Sequence, residues 1–122
     1  MKVLLGIGGS DDSIRALEKT VERTADAGDD LTIAVVDNPA VERSREDIET
    51  TVGDVLGDHG VDATVLRLDG DPGSALVDLA ENEGFEQLVL GGGQRSPMGK
   101  IQIGNIAEFV LLNSHVTVTL VR

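Results

Sequence analysis

Apolar runs of strand length alternate with helical segments along the chain, and this alternation constrains the fold more than any other feature. Residues 2–8, KVLLGIG, are almost continuously apolar, which is typical of a parallel strand buried on both faces. Residues 10–28 begin with Ser10, a favourable helix N-cap, carry apolar residues at helical spacing, and end at Gly28. The chain therefore opens with a strand, a tight turn and a helix.

The same two patterns recur to the C-terminus. Further strands are predicted at residues 31–37, 61–68, 86–93 and 115–122, and further helices at 40–59, within 70–84 and at 104–113. Strands that alternate with helices in this way are typical of a doubly wound α/β domain with right-handed crossovers. We therefore predict a single three-layer, Rossmann-like domain over residues 1–122, with a five-stranded, mainly parallel sheet and four helices.

Charge and composition exclude several classes of function. The chain has 22 acidic and 10 basic residues, a formal net charge of -12, and neither Trp nor Tyr, so it would repel a polyanion and offers few stacking surfaces for bases. It has no cysteine, and its two histidines, His59 and His115, are scattered. We expect no nucleic-acid partner, no metal site and no redox chemistry.

The apolar runs of the chain are too short to suggest a membrane span, and the N-terminus, MKVLLGIGG, lacks the longer apolar region and cleavage site of a secretory signal. We therefore expect a cytoplasmic protein with no membrane partner. A high-salt cytoplasm would explain the acidity, and so would solubility alone.

Residues 91–105, GGGQRSPMGKIQIGN, form an unusual stretch for such an acidic chain. They carry Arg95 and Lys100 and belong to the longest span of the chain that has no Asp or Glu. Glycines let backbone N–H groups approach a phosphate, and the start of the next predicted helix, at Gly104 and Asn105, favours an anion. The stretch is therefore a candidate cradle for nucleotide phosphates.

A purely structural explanation of the same stretch stays open. Three glycines can end a strand, the Ser-Pro pair at 96–97 can form a turn, and two cations can offset acidic neighbours. The other glycine turn, Gly8-Gly9, is a poorer anion site, because Asp11 and Asp12 follow at the start of the first predicted helix and would repel a phosphate.

Four segments together resemble the universal stress proteins of the UspA family: VLLGIGGSDDSIRALEKTVE, GDPGSALVDLAENEGFEQLVLG, GNIAEFVLLNS and VTVTLVR. They occur in the family's order and spacing and cover essentially the whole chain. The resemblance implies a five-stranded α/β fold and frequent dimerisation. In the nucleotide-binding members it also implies a motif of G-x-x-G, nine residues and G-Ser/Thr, which holds the phosphates and ribose of ATP.

The resemblance assigns candidate residues to this motif. Gly91 matches its first glycine and Gly104 its third. Gln94 replaces the second glycine, and Asn105 replaces the hydroxyl residue. Gly8 stands where binding members usually have an aspartate at the end of the first strand. These departures lead us to expect weaker binding than in members with the full motif.

Four further residues complete the candidate site. Leu90 and Ile106 match positions of the binding loop, and Val36 matches a residue that lines the adenine pocket. Arg95 adds a favourable charge for phosphate. The resemblance therefore implies ATP or another adenine nucleotide as the ligand.

Three functions compete at this point. The first is a non-catalytic, dimeric stress-response module with an adenine-nucleotide site, in which the C-terminal strand, VTVTLV, pairs with a second copy. The second is a slow ATPase or phosphotransferase, for which Asp37, Asp69 or Asp71 would have to assist, unless these residues serve as turn formers or caps. The third is a regulatory module that binds a partner's phosphate or acidic group on the same loop. We favour the first and expect no catalytic residue.

Overall fold

The structure, a computed structural model, describes residues 1–38, 41, 43–92, 94–95, 101–102 and 104–121, with the backbone alone at 94–95 and 101–102. Its elements are, in chain order, β1 (Lys2–Ile7), α1 (Asp11–Ala27), β2 (Asp30–Val36), α2 (Arg45–His59), β3 (Thr64–Leu68), α3 (Pro72–Asn82), β4 (Gln87–Gly91), β5 (Gln94–Arg95), β6 (Ile101–Gln102), α4 (Asn105–Asn113) and β7 (Thr117–Val121).

Five parallel strands form the central sheet in the order β3-β2-β1-β4-β7. The chain builds outward from β1 through β2 to β3, then crosses back to place β4 on the other side of β1, and β7 follows at the edge. The direction of building therefore reverses between β1 and β4, which is the place where ligands bind in open α/β sheets. The predicted fold class is confirmed.

The sheet separates two apolar cores. Because successive side chains of a strand point to opposite faces, Leu5 of β1 packs with α1 and α2, whereas the adjacent Leu4 packs with α3 and α4. Both leucines are fully buried, and burial of one such side chain contributes about 2 kcal/mol. In the described part of the chain, no helix has both the length and the apolarity to cross a bilayer.

Helix α2 begins later than the sequence pattern predicted. The prediction began at residue 40, which lies outside the described residues, but Val41 is not helical and the helix begins at Arg45. Ser44 is the N-cap, and its hydroxyl oxygen accepts a hydrogen bond of 3.1 Å from the backbone N–H of Asp47. Because Val41 is apolar and lies at helical spacing from later apolar residues, the predicted helix extended past Ser44, the residue at which the helix starts.

Strand β3 also begins later than predicted, at Thr64 instead of residue 61. Gly60 ends α2 in the left-handed conformation, with φ of 63°, and the backbone N–H of Val61 donates to the carbonyl of Leu56 at 3.0 Å. Val61, the residue after Gly60, thus belongs to the motif that ends the helix. It does not join the strand.

The hairpin of β5 and β6 was not predicted. Gln94 pairs with Gln102 and Arg95 with Ile101 in an antiparallel register. Two residues a strand are too few to show the alternation by which a longer strand is recognised.

Removal of the Ser44 hydroxyl is a direct test of the α2 start. Ser44→Ala is expected to lower the free energy of unfolding by about 1 kcal/mol, because the N–H of Asp47 loses its capping acceptor. Ser44→Asp retains an acceptor and is the matched control. Urea denaturation of both variants measures the effect, and equal stability of Ser44→Ala and wild type would show that the cap is not formed.

Candidate functional site

A cavity of about 420 Å³ opens at the carboxyl ends of β1 and β4, where the strand order reverses. Its lining combines backbone-exposing glycines, apolar side chains and a few polar groups. The lining residues are Gly6, Gly8, Ser10, Asp12, Ser13, Val36, Asn38, Leu76, Leu90, Gly91, Gly92, Gly104, Asn105, Ile106 and Ala107. A largely apolar concave site with a few convergent polar groups has the composition of a small-molecule site.

Seven of the nine candidate residues line this one cavity. They come from β1, β2, β4 and α4 and their loops, and comprise Gly8, Val36, Leu90, Gly91, Gly104, Asn105 and Ile106. The other two, Gln94 and Arg95, lie in β5, and their side chains lie outside the described part of the structure, as does the whole of Lys100. The topology thus brings together residues that are up to 98 positions apart in the chain (106 minus 8).

The N-terminus of α4 borders the cavity without a side-chain cap. Gly104 is the N-cap, in an extended conformation, and makes no capping hydrogen bond because it has no side chain. Asn105 is the first residue of the helix and not its cap, so its amide does not satisfy the first-turn N–H groups in the way a cap would. These N–H groups and the helix dipole favour an anion at this end of the cavity.

Nothing in the packing of the described residues requires glycine at position 104. Its φ of -66° is accessible to any residue, and a Cβ there would meet no described atom within 4 Å. Among the described residues, the missing side chain instead leaves space over the first turn of α4, at a residue that lines the cavity.

The N-terminus of α1, which also borders the cavity, already has a side-chain cap. The hydroxyl of Ser10 accepts from the backbone N–H of Ser13 at 3.2 Å, and the Ser13 hydroxyl accepts from the N–H of Gly9 at 3.0 Å. Asp12 lines the cavity with a side chain only 12% exposed, and it forms an ion pair with Arg15. A phosphate is therefore favoured at α4 and disfavoured at α1.

The space beside Gly8 is filled by Asn38. A Cβ at Gly8 would lie 3.0 Å from the Asn38 Cβ and 3.2 Å from its Nδ2. A neutral amide thus occupies the neighbourhood in which the resemblance implies an aspartate. Sequence reasoning missed Asn38, although its position, two residues after the end of β2 at Val36, was a usable signal, since ligand sites lie beyond strand ends.

Gly91, unlike Gly104, is required by packing. A Cβ at Gly91 would lie 2.5 Å from the backbone nitrogen of Ser13 and closer still to the carbonyl group of Asp12. The absence of a side chain lets the end of β4 lie directly against the first turn of α1. The first glycine of the motif therefore has a structural role, whatever it contributes to a ligand.

The three aspartates considered for an ATPase do not line the cavity. Asp71 is the N-cap of α3 and accepts from the N–H of Ser74 at 3.0 Å. Asp69 pairs with Arg45 at 2.9 Å. Among the residues with described side chains, no group of three or more His, Cys, Asp or Glu is arranged to hold a metal ion.

Comparison with known proteins gives one family and several related structures. The model described as "Universal stress protein family" matches residues 1–122. No curated protein sequence matches the chain. The solved structures include a universal stress protein from Archaeoglobus fulgidus, with 23% identity, a TM-score of 0.72 and coverage of 100% of this chain and 98% of that one.

Three of the similar structures contain a nucleotide, and two of them illustrate the range of identity. A universal stress protein in complex with cAMP has 27% identity and a TM-score of 0.75, with 98% of this chain and 94% of that one covered. A universal stress protein family protein from Arabidopsis thaliana with AMP bound has 16% identity and a TM-score of 0.66, with 99% of this chain and 91% of that one covered. At 16% identity, the similarity to the Arabidopsis thaliana protein shows a shared fold alone.

Proposed function

The chain belongs to the universal stress protein family, and we propose that it is a cytoplasmic, non-catalytic and dimeric stress-response module whose cavity binds an adenine nucleotide. The observation that carries this proposal is Gly104. It gives the N-terminus of α4 no side-chain cap beside the cavity, although the packing of the described residues does not require a glycine there.

The shape of the cavity supports a nucleotide as the ligand. Its volume of about 420 Å³ lies within the usual range for small-molecule sites. Phosphate would bind at the N–H groups of Asn105 and Ile106, and the base would lie against the apolar side chains of Val36 and Leu90. The similar protein with 27% identity binds cAMP, so a nucleoside monophosphate is the first ligand to test.

The departures from the family motif modify the proposed site without removing it. Asn38 beside Gly8 supplies a neutral amide that can both donate and accept hydrogen bonds, in place of a carboxylate. Asn105 supplies an amide where binding members have a hydroxyl, and it lines the cavity. We therefore expect recognition of the nucleotide by neutral hydrogen-bonding groups and by the helix dipole.

The charged residues of the cavity support binding without catalysis. Phosphoryl transfer needs a carboxylate that holds a metal and a base that positions the nucleophile. Among the described lining residues, the sole carboxylate belongs to Asp12, and it is mostly buried and paired with Arg15. An ATPase assay with Mg²⁺ should therefore give no phosphate release above that of a Gly104→Trp variant, and release above that background would favour the ATPase.

Chemical-shift mapping tests the proposed ligand. ¹⁵N-labelled, nucleotide-stripped protein is titrated with AMP and, separately, with inorganic phosphate. Phosphate alone should shift the amides of Asn105, Ile106 and Ala107, whereas AMP should also shift Gly8 and Val36, because the base reaches the apolar part of the cavity. Absence of saturable shifts at these amides with AMP would overturn the nucleotide proposal and favour the module that binds a partner.

A further inference from the structure

Arg43, which lies just before helix α2, joins two of the loops that border the cavity. Its Nη1 donates a hydrogen bond of 2.6 Å to the backbone carbonyl of Gly9, in the turn that follows β1. Its Nη2 lies 3.2 Å from a carboxylate oxygen of Asp11, at the start of α1. Arg43 is not among the described residues that line the cavity. It therefore fastens the loop after β2 to the loop after β1 from outside the site.

The bond to the Gly9 carbonyl is a stronger link than the pair with Asp11. The Asp11 side chain is 78% exposed, and ion pairs between exposed side chains contribute little. The bond to Gly9 is partly buried, and a hydrogen bond from a charged donor is stronger than a neutral one. The N–H of Gly9 donates to the Ser13 hydroxyl at 3.0 Å. Ser13 and Arg43 thus hold both backbone polar groups of Gly9.

The conformation of Gly9 lets the residues around the start of α2 approach this turn. Its φ is 91°, which is unfavourable for residues with a side chain. A Cβ there would lie 2.8 Å from the Cδ1 of Ile48 and 3.4 Å from the Cβ of Arg43. The first turn of α2 and the Arg43 side chain therefore both pack on Gly9, so the hydrogen bond belongs to a packed contact between the two loops.

The loop after β2 also carries Asn38, which lines the cavity. Asn38 lies beside Gly8, where a Cβ would be 3.0 Å from the Asn38 Cβ. The backbone carbonyl of Asn38 accepts a hydrogen bond of 3.2 Å from the N–H of Val41, two residues before Arg43. The described residues therefore connect Asn38 with Arg43 by way of Val41, and Arg43 in turn is bonded to the residue after Gly8.

We propose that Arg43 is a positioning residue of the nucleotide site, which holds Asn38 over Gly8 and so sets the width of the end of the cavity that receives the base. The inference rests on the proposed function and adds a residue that acts on the ligand through another. Phosphate binds at a different element, the N-terminus of α4, in the proposed function. A wall that is already in place lowers the entropic cost of binding, so Arg43 should matter for a ligand with a base and not for phosphate.

Arg43→Gln tests this by removing the charged donor from the Gly9 carbonyl. We expect the dissociation constant of AMP to rise about tenfold and that of inorganic phosphate to change by less than about twofold. Phosphate separates positioning from charge, since loss of a nearby positive charge would weaken phosphate as well. Titrations of ¹⁵N-labelled protein followed by amide shifts measure both constants. An AMP constant within about twofold of wild type, or equal losses for AMP and phosphate, would overturn the proposal.

Two control variants identify the contact that carries the effect. Arg45→Gln removes the same charge two residues later, from a side chain that pairs with Asp69. Asp11→Asn removes the exposed ion pair and leaves the bond to Gly9 in place. In both variants the ratio of the AMP and phosphate dissociation constants should stay within about twofold of wild type. A change of this ratio as large as that in Arg43→Gln would contradict the role of the bond to Gly9.

A double-mutant cycle tests whether Arg43 acts through Asn38. Asn38→Ala removes the amide beside Gly8 and is expected to weaken AMP about tenfold by itself. In that background Arg43→Gln should weaken AMP by no more than a further twofold or about that, because the side chain that it positions is gone. Independent effects, about 100-fold for the double variant, would contradict the proposal.

The wild-type titration separates this inference from the proposed function on which it rests. A wild-type chain that binds AMP, with unchanged affinity in Arg43→Gln, would refute the role of Arg43 and leave the nucleotide site standing. A wild-type chain that shows no saturable shifts with AMP would refute the nucleotide site itself. Urea denaturation of each variant checks that the change in affinity does not come from unfolding.

Discussion

Replacement of Gly104 by tryptophan is expected to weaken AMP binding on the order of 100-fold, about 2.7 kcal/mol, while it lowers the free energy of unfolding by no more than about 1 kcal/mol. The indole would cover the first-turn N–H groups of α4 and occupy space at the mouth of the cavity. The fold should tolerate it, because φ at Gly104 is -66° and a Cβ there would meet no described atom within 4 Å.

Gly53→Trp is the matched control for this prediction. Gly53 lies in α2, does not line the cavity, and likewise has no described atom within 4 Å of a Cβ. Calorimetric titration with AMP should give wild-type affinity for Gly53→Trp and a large loss for Gly104→Trp, and urea denaturation compares the stabilities. Wild-type affinity of Gly104→Trp would show that the ligand, if any, does not contact α4.

Gly91→Ala is expected to lower the free energy of unfolding by about 3 kcal/mol, a large effect for a single methyl group. The added Cβ would lie 2.5 Å from the backbone nitrogen of Ser13. A flexible side-chain end could move aside, but here the neighbour is the main chain of the first turn of α1. Either β4 or α1 must therefore shift, and the packing of both against the sheet is disturbed.

Gly92→Ala is the control for Gly91→Ala. A Cβ at Gly92 would lie 3.6 Å from the Leu120 Cδ2 and 3.7 Å from the Ala107 Cβ, which are ordinary contact distances. Urea denaturation should therefore show a loss below about 1 kcal/mol for Gly92→Ala. Equal stabilities of the two variants would contradict the close approach of β4 to α1.

These two predictions separate glycines that a sequence motif treats alike. The family resemblance relates both Gly91 and Gly104 to the phosphate-binding loop. The packing of the described residues requires a glycine at position 91 whether or not a ligand binds. It does not require a glycine at position 104. A motif glycine is therefore better evidence for a ligand when the fold does not itself require it.

Much of the fold was predictable because both faces of the inner strands are buried. The run at 2–8 is almost continuously apolar, and β1 lies at the centre of the sheet between β2 and β4. The errors in the starts of α2 and β3 occurred where local hydrogen bonds decide the boundary. The Ser44 cap starts α2, and the bond from Val61 to Leu56 delays β3. The spacing of apolar residues in the sequence carries no information about such bonds.

The position of the site was predictable for a topological reason. Glycine turns follow β1 and β4, and in a doubly wound sheet the carboxyl ends of these strands lie beside the switch point. Asn38 was not predicted. Its position after β2 was a usable signal, but its approach to Gly8 joins residues 30 positions apart (38 minus 8), and no local pattern encodes that approach. The binding role of the candidate residues stays a prediction.

Calorimetric titration of the purified, nucleotide-stripped wild-type protein with AMP is the most direct measurement of the central claim. At 0.1 M and at 1 M KCl, we predict saturable binding with one AMP per chain, because the site lies at the carboxyl ends of β1 and β4 within each copy. A folded sample that shows no saturable heat with AMP at either salt concentration, and no amide shifts in the cavity, would contradict the claim.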